Sequence, residues 1–464
     1  MSTDDEPDYV PALLLDLYEL TMAQSYVERG MADRPATFSL FARDLPPDWG
    51  FFLAAGLDDV LAYLERLSFS PEDLDYLETT RLFTSAFLKF LGGLRFTGAV
   101  RALPEGTVFF PQEPLLEVTA PLVEAQLVET VVLNQAHFQR VIASKAARCV
   151  LAARGRRLVD FGLRRTHGSD AGLKVARSAY LAGFDATSNV LAGQCYGIPI
   201  AGTMAHSYIQ AFPDELSAFR AYAQIYPDSC VLLVDTYDTL VGARRAAVVG
   251  QELATAGHRL RGVRLDSGNL ADLSFPVRRI LDEAGFHDAT IFASGGLDEH
   301  AIAAAVARGA PIDAFGVGSR LGTSADAPYL DMAYKMVAYA GRPVLKLSTG
   351  KATWPDAKQI WRRAVGDGQC QDYIGLADEP GPNGGQPLLV EAMRGGRRLH
   401  QTCLAEVRRR AQRELAELPA KFRVLQAPSS PPVQFTPRLR QVRDGIVTEL
   451  LEHSRAFETL EGVT

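Results

Sequence analysis

The chain has 464 residues, 47% hydrophobic and 22% charged, the balance of a soluble globular protein of two or three domains with a large core. A net charge of −7 gives no electrostatic footprint for nucleic acid, so an anionic ligand must be held by local arginines and backbone N–H groups. Five cysteines, at 149, 195, 230, 370 and 403 and without a C-x-x-C pair, exclude a zinc knuckle and a disulfide framework, and no stretch approaches the ~20 unbroken apolar residues of a membrane span.

The start, "MSTDDEPDYV", is acidic and polar and reads as neither signal nor transit peptide, which places the chain in the cytoplasm. Residues 1–140 then read as an N-terminal α/β layer: an amphipathic helix around Tyr18, followed by "ATFSLFARDLP" and "FTGAVRALPEGTVFFPQEPLLEVTAP", short alternating runs with several prolines. Within 141–335 one pattern repeats seven times, an apolar run ending in polar or glycine residues and leading into a helix. The run ends are "LVDFGLRRTHG", "GFDATSNV", "IPIAGTMAHS", "VLLVDTYDT", "GVRLDSGN", "IFASGGLDE" and "AFGVGSRLGTS". Seven such units predict a β/α barrel with its reactive groups at the C-terminal strand ends, where a doubly wound sheet would also put them. Residues 336–425 return to strand-like runs, "VLKLSTGKATWPDAKQIWRR" and "PLLVEAMRGGRRL", that complete the N-terminal layer. Residues 426–464 form a proline-rich linker and a terminal helix around "IVTELLEHSRAF".

The strand ends hold the chemistry. Ser294-Gly295-Gly296 follows one strand, and Gly316, Gly318 and Ser319 occupy the same place in the next unit. Two consecutive late glycine turns can bring unhindered N–H groups to one phosphate. Asp235 and Asp266 close two other strands, and alternation puts Arg264 on the same face as Asp266, so a cation and an acceptor point together to the mouth. Each aspartate has a plainer reading as a helix cap, the one preferred for Asp238. Of Arg164 and Arg165, alternation lets only one face the mouth, and His167 reads as structural. There is no H-E-x-x-H, no nearby Ser-His-Asp set and no obvious catalytic carboxylate pair, which favours chemistry with a built-in leaving group over hydrolysis. His206 is the unusual residue: "YGIPIA" runs into a Gly-Thr turn and then presents this one histidine at a helix start.

"LLLDLYELTMAQSY", "FGLRRTHG", "GTMAHSYIQAF", "GVRLDSGNL", "FGVGSRLGTS" and "YKMV", in this order, resemble nicotinate phosphoribosyltransferase across about three quarters of the chain. The resemblance implies a distorted, type II phosphoribosyltransferase-like β/α barrel with an N-terminal α/β layer completed by C-terminal strands, usually a homodimer. It implies transfer from 5-phosphoribosyl diphosphate to nicotinate in NAD salvage, coupled to ATP hydrolysis, with Mg²⁺ as cofactor. His206 would be the histidine that ATP phosphorylates. Tyr18, Thr203, Arg164 or Arg165, and Arg264 would serve the nicotinate, with Tyr18 stacking from the neighbouring subunit. Asp235 and Asp266 would serve the ribosyl diphosphate and the Mg²⁺, and Ser294, Gly295, Gly296, Gly318, Ser319 and Thr323 its 5′-phosphate. Asn269 departs from the acidic residue that often follows "DSG" in the family, which leaves that position a helix cap without a metal-binding charge. The alternatives are a nicotinamide-using enzyme, its quinolinate-using relative and a non-catalytic phosphate-binding barrel. Asn189 at "GFDATSNV" argues for nicotinate over nicotinamide, since a neutral side chain there does not repel a carboxylate.

Overall fold

The run PATFSLFA, Pro35–Ala42, is buried at every position after the first, so it needs neighbours on both edges and cover on both faces. It has them in a seven-stranded antiparallel sheet. A computed structural model describes residues 10–348, 353–365, 370–399, 401–429 and 433–461, which fall into two units, Met1–Val141 with Tyr329–Thr464, and Ile142–Pro328. The sheet belongs to the first unit and draws on both ends of the chain: Pro35–Ala42 pairs on one side with Met332–Tyr339 and on the other with Pro114–Pro121. Ala99–Ala102 and Val390–Arg394 continue it. Phe38 stacks on Tyr334 with ring centres 4.9 Å apart, and the buried Tyr334 hydroxyl donates to the Ala125 carbonyl at 2.8 Å, so one cross-strand pair ties the sheet to the helix beneath it.

A second, four-stranded sheet in this unit takes Lys358–Ala364, Cys370–Leu376, Gln386–Pro387 and, in parallel, Gln434–Phe435. The final helix, Pro437–Glu461, follows directly, and Trp354 is sandwiched between Phe435, 3.7 Å away, and the Arg443 guanidinium at 4.7 Å. The centre of the proline-rich stretch, 430–432, and residues 349–352 lie outside the described residues.

The second unit contains six parallel strands: β1 (Arg157–Asp160), β2 (Ala186–Thr187), β3 (Val231–Leu233), β4 (Gly262–Leu265), β5 (Thr290–Ser294) and β6 (Ala314–Val317). Their order, β2-β1-β6-β5-β4-β3, is cyclic in sequence, since β6 pairs with β1. A parallel bridge from Thr187 to Ile200 adds a seventh position beside β2. This is the winding of a β/α barrel with one open seam: among the described residues no ladder joins the Ile200 position to β3. The third predicted strand is thus a single bridge. Pro199 has no N–H to give a ladder, which limits what the "IPIA" run can pair. No helix among the described residues is long and apolar enough to cross a membrane.

The first unit has buried polar groups as well. Arg362 in the first unit reaches Asp372 at 2.6 Å, Glu414 at 2.9 Å and the Val108 carbonyl at 2.8 Å, above the Phe110 ring. Beside it Glu113 accepts from the Phe110 N–H, while its Oε1 is buried with no donor facing it. Burial first, and then the Asp372 charge, push the Glu113 carboxyl well above the ordinary range, which favours its protonated form. A native value raised above the unfolded one means that this proton stabilises the fold fully below about pH 4.3, the unfolded value, and that the contribution is lost as pH rises toward the native value. Glu113→Gln, which keeps the shape and the donor, is expected to flatten the fall of Tm as pH rises above about 4.3, the unfolded value. Parallel Tm profiles for the two proteins would show that the proton is absent.

Candidate active site

At the C-terminal end of β4, one guanidinium organises the mouth of the parallel sheet. Arg264 Nε donates to Ser294 Oγ at 2.7 Å, its NH1 to Thr203 Oγ1 at 3.0 Å and to the Met204 carbonyl at 3.2 Å, and its NH2 to Asp266 Oδ1 at 2.6 Å. Four of the five N–H donors of an arginine are thereby engaged inside the protein. The plane lies 5.4 Å from the Phe161 ring centre, and the side chain is 13% exposed. Gly316, one residue before the end of β6, is what admits Phe161: a Cβ there would come within 2.7 Å of the ring. Gly316 is therefore a packing glycine inside a strand and not part of the turn that follows it.

The aspartates are not caps of the following helices. Leu270–Glu283 is capped by Asn269 and Thr239–Thr255 by Asp238, each accepting from the backbone three residues on. Asp235 Oδ2 instead accepts from the Asp266 N–H at 2.9 Å and the Ser267 hydroxyl at 2.6 Å, and its Oδ1 is buried without a donor. Burial opposes the Asp266 charge, but the Ser294 hydroxyl, Arg264 and His206 outweigh it and hold the carboxyl below the usual range. His206 begins the helix His206–Gln210. Its Nδ1 lies 3.1 Å from Thr236 Oγ1, whereas its Nε2 is 3.8 Å from Asp266 Oδ2, beyond hydrogen-bond reach, and the ring is 39% exposed. Two hard oxygens, Asp235 Oδ1 and Asp266 Oδ2, thus have no hydrogen-bond donor, a pair that suits a partly hydrated Mg²⁺, although no group of three or more His, Cys, Asp or Glu that could hold a metal ion occurs among the described residues.

The glycine turns stand beside this cluster. Gly295, at φ +95°, would place a Cβ 1.9 Å from the Asp266 carbonyl, so the loops after β4 and β5 touch only because no side chain intervenes. Gly296 has φ +64° and open space, and Gly318 precedes the short helix Ser319–Gly322, whose last turn is closed by Thr323 Oγ1 on the Ser319 carbonyl.

Other candidates fall differently. Arg164 and Arg165 lie on a 3₁₀ turn, Leu163–Arg165, not on a strand, so alternation does not separate them; both are exposed, and neither guanidinium has a partner among the described residues. His167 is exposed on the same connection. Asn189 has its amide engaged within the protein. It is buried, its Oδ1 caps Val190–Tyr196 through the Ala192 N–H, and its Nδ2 donates to the Gly172 carbonyl. Tyr18 belongs to the first unit, on helix Leu17–Glu28, with 44% of its surface exposed. Sequence reasoning passed over Thr236 and Ser267, each adjacent to a residue it named, and Phe161 and Asp160, the latter's carboxylate tying the Gly162 N–H to the Thr187 hydroxyl.

Residues 13–136 match the model of the nicotinate phosphoribosyltransferase (NAPRTase) N-terminal domain and residues 156–353 that of the nicotinate phosphoribosyltransferase (NAPRTase) family. Nicotinate phosphoribosyltransferase pncB2 of Mycobacterium tuberculosis is 50% identical over 461 residues, 98% of this chain and 96% of that protein. The crystal structure of human nicotinic acid phosphoribosyltransferase superposes with a TM-score of 0.84 at 32% identity, over 93% of this chain and all of that one. A nicotinate-nucleotide pyrophosphorylase from Pyrococcus furiosus gives 0.73 at 25% identity, over 90% and 97%.

The two glycines after β5 differ in what a methyl group would meet, and their alanine variants separate the causes. Gly296→Ala should cost about 1 kcal/mol for the left-handed backbone alone, and Gly295→Ala clearly more, about 2 kcal/mol or above, because the Asp266 carbonyl must also move. Urea midpoints measure both, and equal losses would show that the contact is absent.

Proposed function

Because this chain belongs to the nicotinate phosphoribosyltransferase family, we propose that the Arg264 cluster is its catalytic site and that His206 couples the reaction to ATP hydrolysis. The reaction itself is transfer of the phosphoribosyl group of 5-phosphoribosyl diphosphate to nicotinate, giving nicotinate mononucleotide and diphosphate in NAD salvage. The C1–oxygen bond to diphosphate breaks and a C1–nitrogen bond forms with the pyridine lone pair, through an oxocarbenium-like state. The nucleophile arrives with its lone pair, so no general base is needed, in keeping with a mouth built from an arginine and two aspartates.

The position of His206 carries the coupling. With the Nδ1 proton donated to Thr236 Oγ1, the lone pair sits on Nε2, the nitrogen without a hydrogen bond and on a partly exposed ring. Nε2 attacks the γ-phosphorus of ATP, the bond to the ADP oxygen breaks and ADP leaves; water later cleaves the N–P bond. Asp235 and Asp266 would hold Mg²⁺, which when bound supplies positive charge to the diphosphate. Ser294, Gly295, Gly296, Gly318, Ser319 and Thr323 take the 5′-phosphate. Arg164 and Arg165, unpaired, are suited to the nicotinate carboxylate; Arg264, with most donors already engaged, holds Thr203 and Asp266 in place beside it. Tyr18, exposed on its helix, stacks on the pyridine ring in a homodimer. The five cysteines are all free, which supports a cytoplasmic location.

Incubation with nicotinate or nicotinamide, with and without ATP, tests the reading. Nicotinate should be preferred by at least about tenfold in kcat/KM; equal use of both bases would sink that choice. ATP should leave an acid-labile, base-stable phosphate on Nε2 of His206, and His206→Ala should lose the ATP-driven gain while keeping slow transfer. Full ATP stimulation of the Ala variant, or a label on His167, refutes the coupling. Asp266→Ala should keep its fold and lose productive use of phosphoribosyl diphosphate, and unchanged activity would leave Asp266 without a role in the reaction.

A further inference from the structure

Behind the two glycine turns lies a set of charges that the reaction does not use. Lys145, with a side chain only 2% exposed, has its Nζ 2.6 Å from Glu299 Oε2 and 2.5 Å from Asp326 Oδ1. Arg148, one turn on, donates to Glu299 Oε1 at 2.8 Å. Glu299 is fully buried and opens helix Glu299–Ala307, directly after the Gly295-Gly296 turn; Asp326 closes the segment that follows Gly318 and Ser319. A second link joins the same two segments: Asp298, which caps that helix, pairs with Arg320 of the Ser319–Gly322 turn.

Buried ion pairs give little net stability, because desolvation offsets most of the attraction, whereas they do fix the spacing of what they connect. Lys145 remains a full charge here: burial works against it, but Glu299 and Asp326 outweigh that penalty. The two links act in parallel on the same pair of loops, one buried and one partly solvated, with Arg320 52% exposed.

We infer that Lys145–Glu299–Asp326 and Asp298–Arg320 form a double clamp that holds the loops after β5 and β6 at the separation needed to grip the 5′-phosphate of phosphoribosyl diphosphate. The clamp residues are positioning residues, and the inference rests on the reading of those loops as the phosphate site. Parallel links predict a specific pattern. Asp326→Asn and Arg320→Gln, both at partly exposed positions, should each raise the KM for phosphoribosyl diphosphate only about threefold, since the other link remains. Together they should raise it about thirtyfold, more than the product of the single effects, with kcat within about twofold, the nicotinate KM unchanged and Tm within a few degrees. Asp326→Glu, which keeps the charge, should restore most of the single-variant loss. A multiplicative double variant, or one that lowers Tm and leaves the KM for phosphoribosyl diphosphate unmoved, overturns the clamp. Ser319→Asp tests the underlying reading separately. A rise of more than about tenfold in that KM keeps the phosphate site even if the clamp fails, and no change removes the phosphate site and the clamp with it.

Discussion

A buried arginine whose donors are already taken is a structural device before it is a ligand. Arg264 joins three separate connections at the barrel mouth: the Thr203–Met204 turn, the Asp266 loop after β4 and Ser294 at the end of β5. The ladder is broken between the Ile200 position and β3, and at this seam Arg264 and the His206–Thr236 contact provide the side-chain ties that the strands do not. An open seam in a barrel leaves backbone groups and a turn free to carry a reactive side chain. His206 stands on that turn, attached by one ring nitrogen and open at the other.

The same interaction sets the electrostatics. A chain of net charge −7 that acts on anions has to concentrate positive charge locally without pairing it away. Arg264 and Asp266 neutralise each other, so their contribution is geometry and a well-ionised carboxylate. The unpaired positive charge sits one connection away, on the exposed turn bearing Arg164 and Arg165. Separating the two roles has a physical advantage. A guanidinium locked into four hydrogen bonds holds its neighbours in place, whereas an exposed one can fork onto a carboxylate as the substrate arrives.

That several of the named residues meet at one mouth was legible in the sequence because strand-end residues in a β/α pattern are both chemically marked and topologically constrained. Asp235, Asp266, Ser294 and the glycines meet at one mouth because consecutive parallel strands deliver them there. Partners and local geometry were not legible. Alternation assigned Arg164 and Arg165 to opposite faces, yet they stand on a 3₁₀ turn, to which a period of two does not apply. For Asn189 the sequence offered only its lack of charge, since it does not show that the amide caps a helix and donates to a carbonyl. Gly316 and Gly318 looked alike, and only the packing of Phe161 tells them apart. The Arg362–Asp372–Glu414–Glu113 cluster, assembled from positions up to about three hundred residues apart, leaves no local signal at all.

These failures share a cause. Periodicity reports which way a side chain points relative to its own element, and composition reports what it could do if unpartnered; neither counts donors against acceptors. Asp235 illustrates the difference. As a residue type at a strand end it was equally a cap, a ribose acceptor or a metal ligand. In the fold one oxygen accepts two bonds from the Asp266–Ser267 backbone and hydroxyl, and the other is buried with none. A buried carboxylate oxygen without a donor is costly unless something supplies one, so the structure that satisfies one half of Asp235 leaves the other half waiting for a ligand. Arg264 shows the converse, a charge that looks free in the sequence and is saturated in the fold. Among the described residues the groups left without a hydrogen-bond partner here are Asp235 Oδ1, Asp266 Oδ2, His206 Nε2 and the guanidinium groups of Arg164 and Arg165, and it is on these that the proposed chemistry draws.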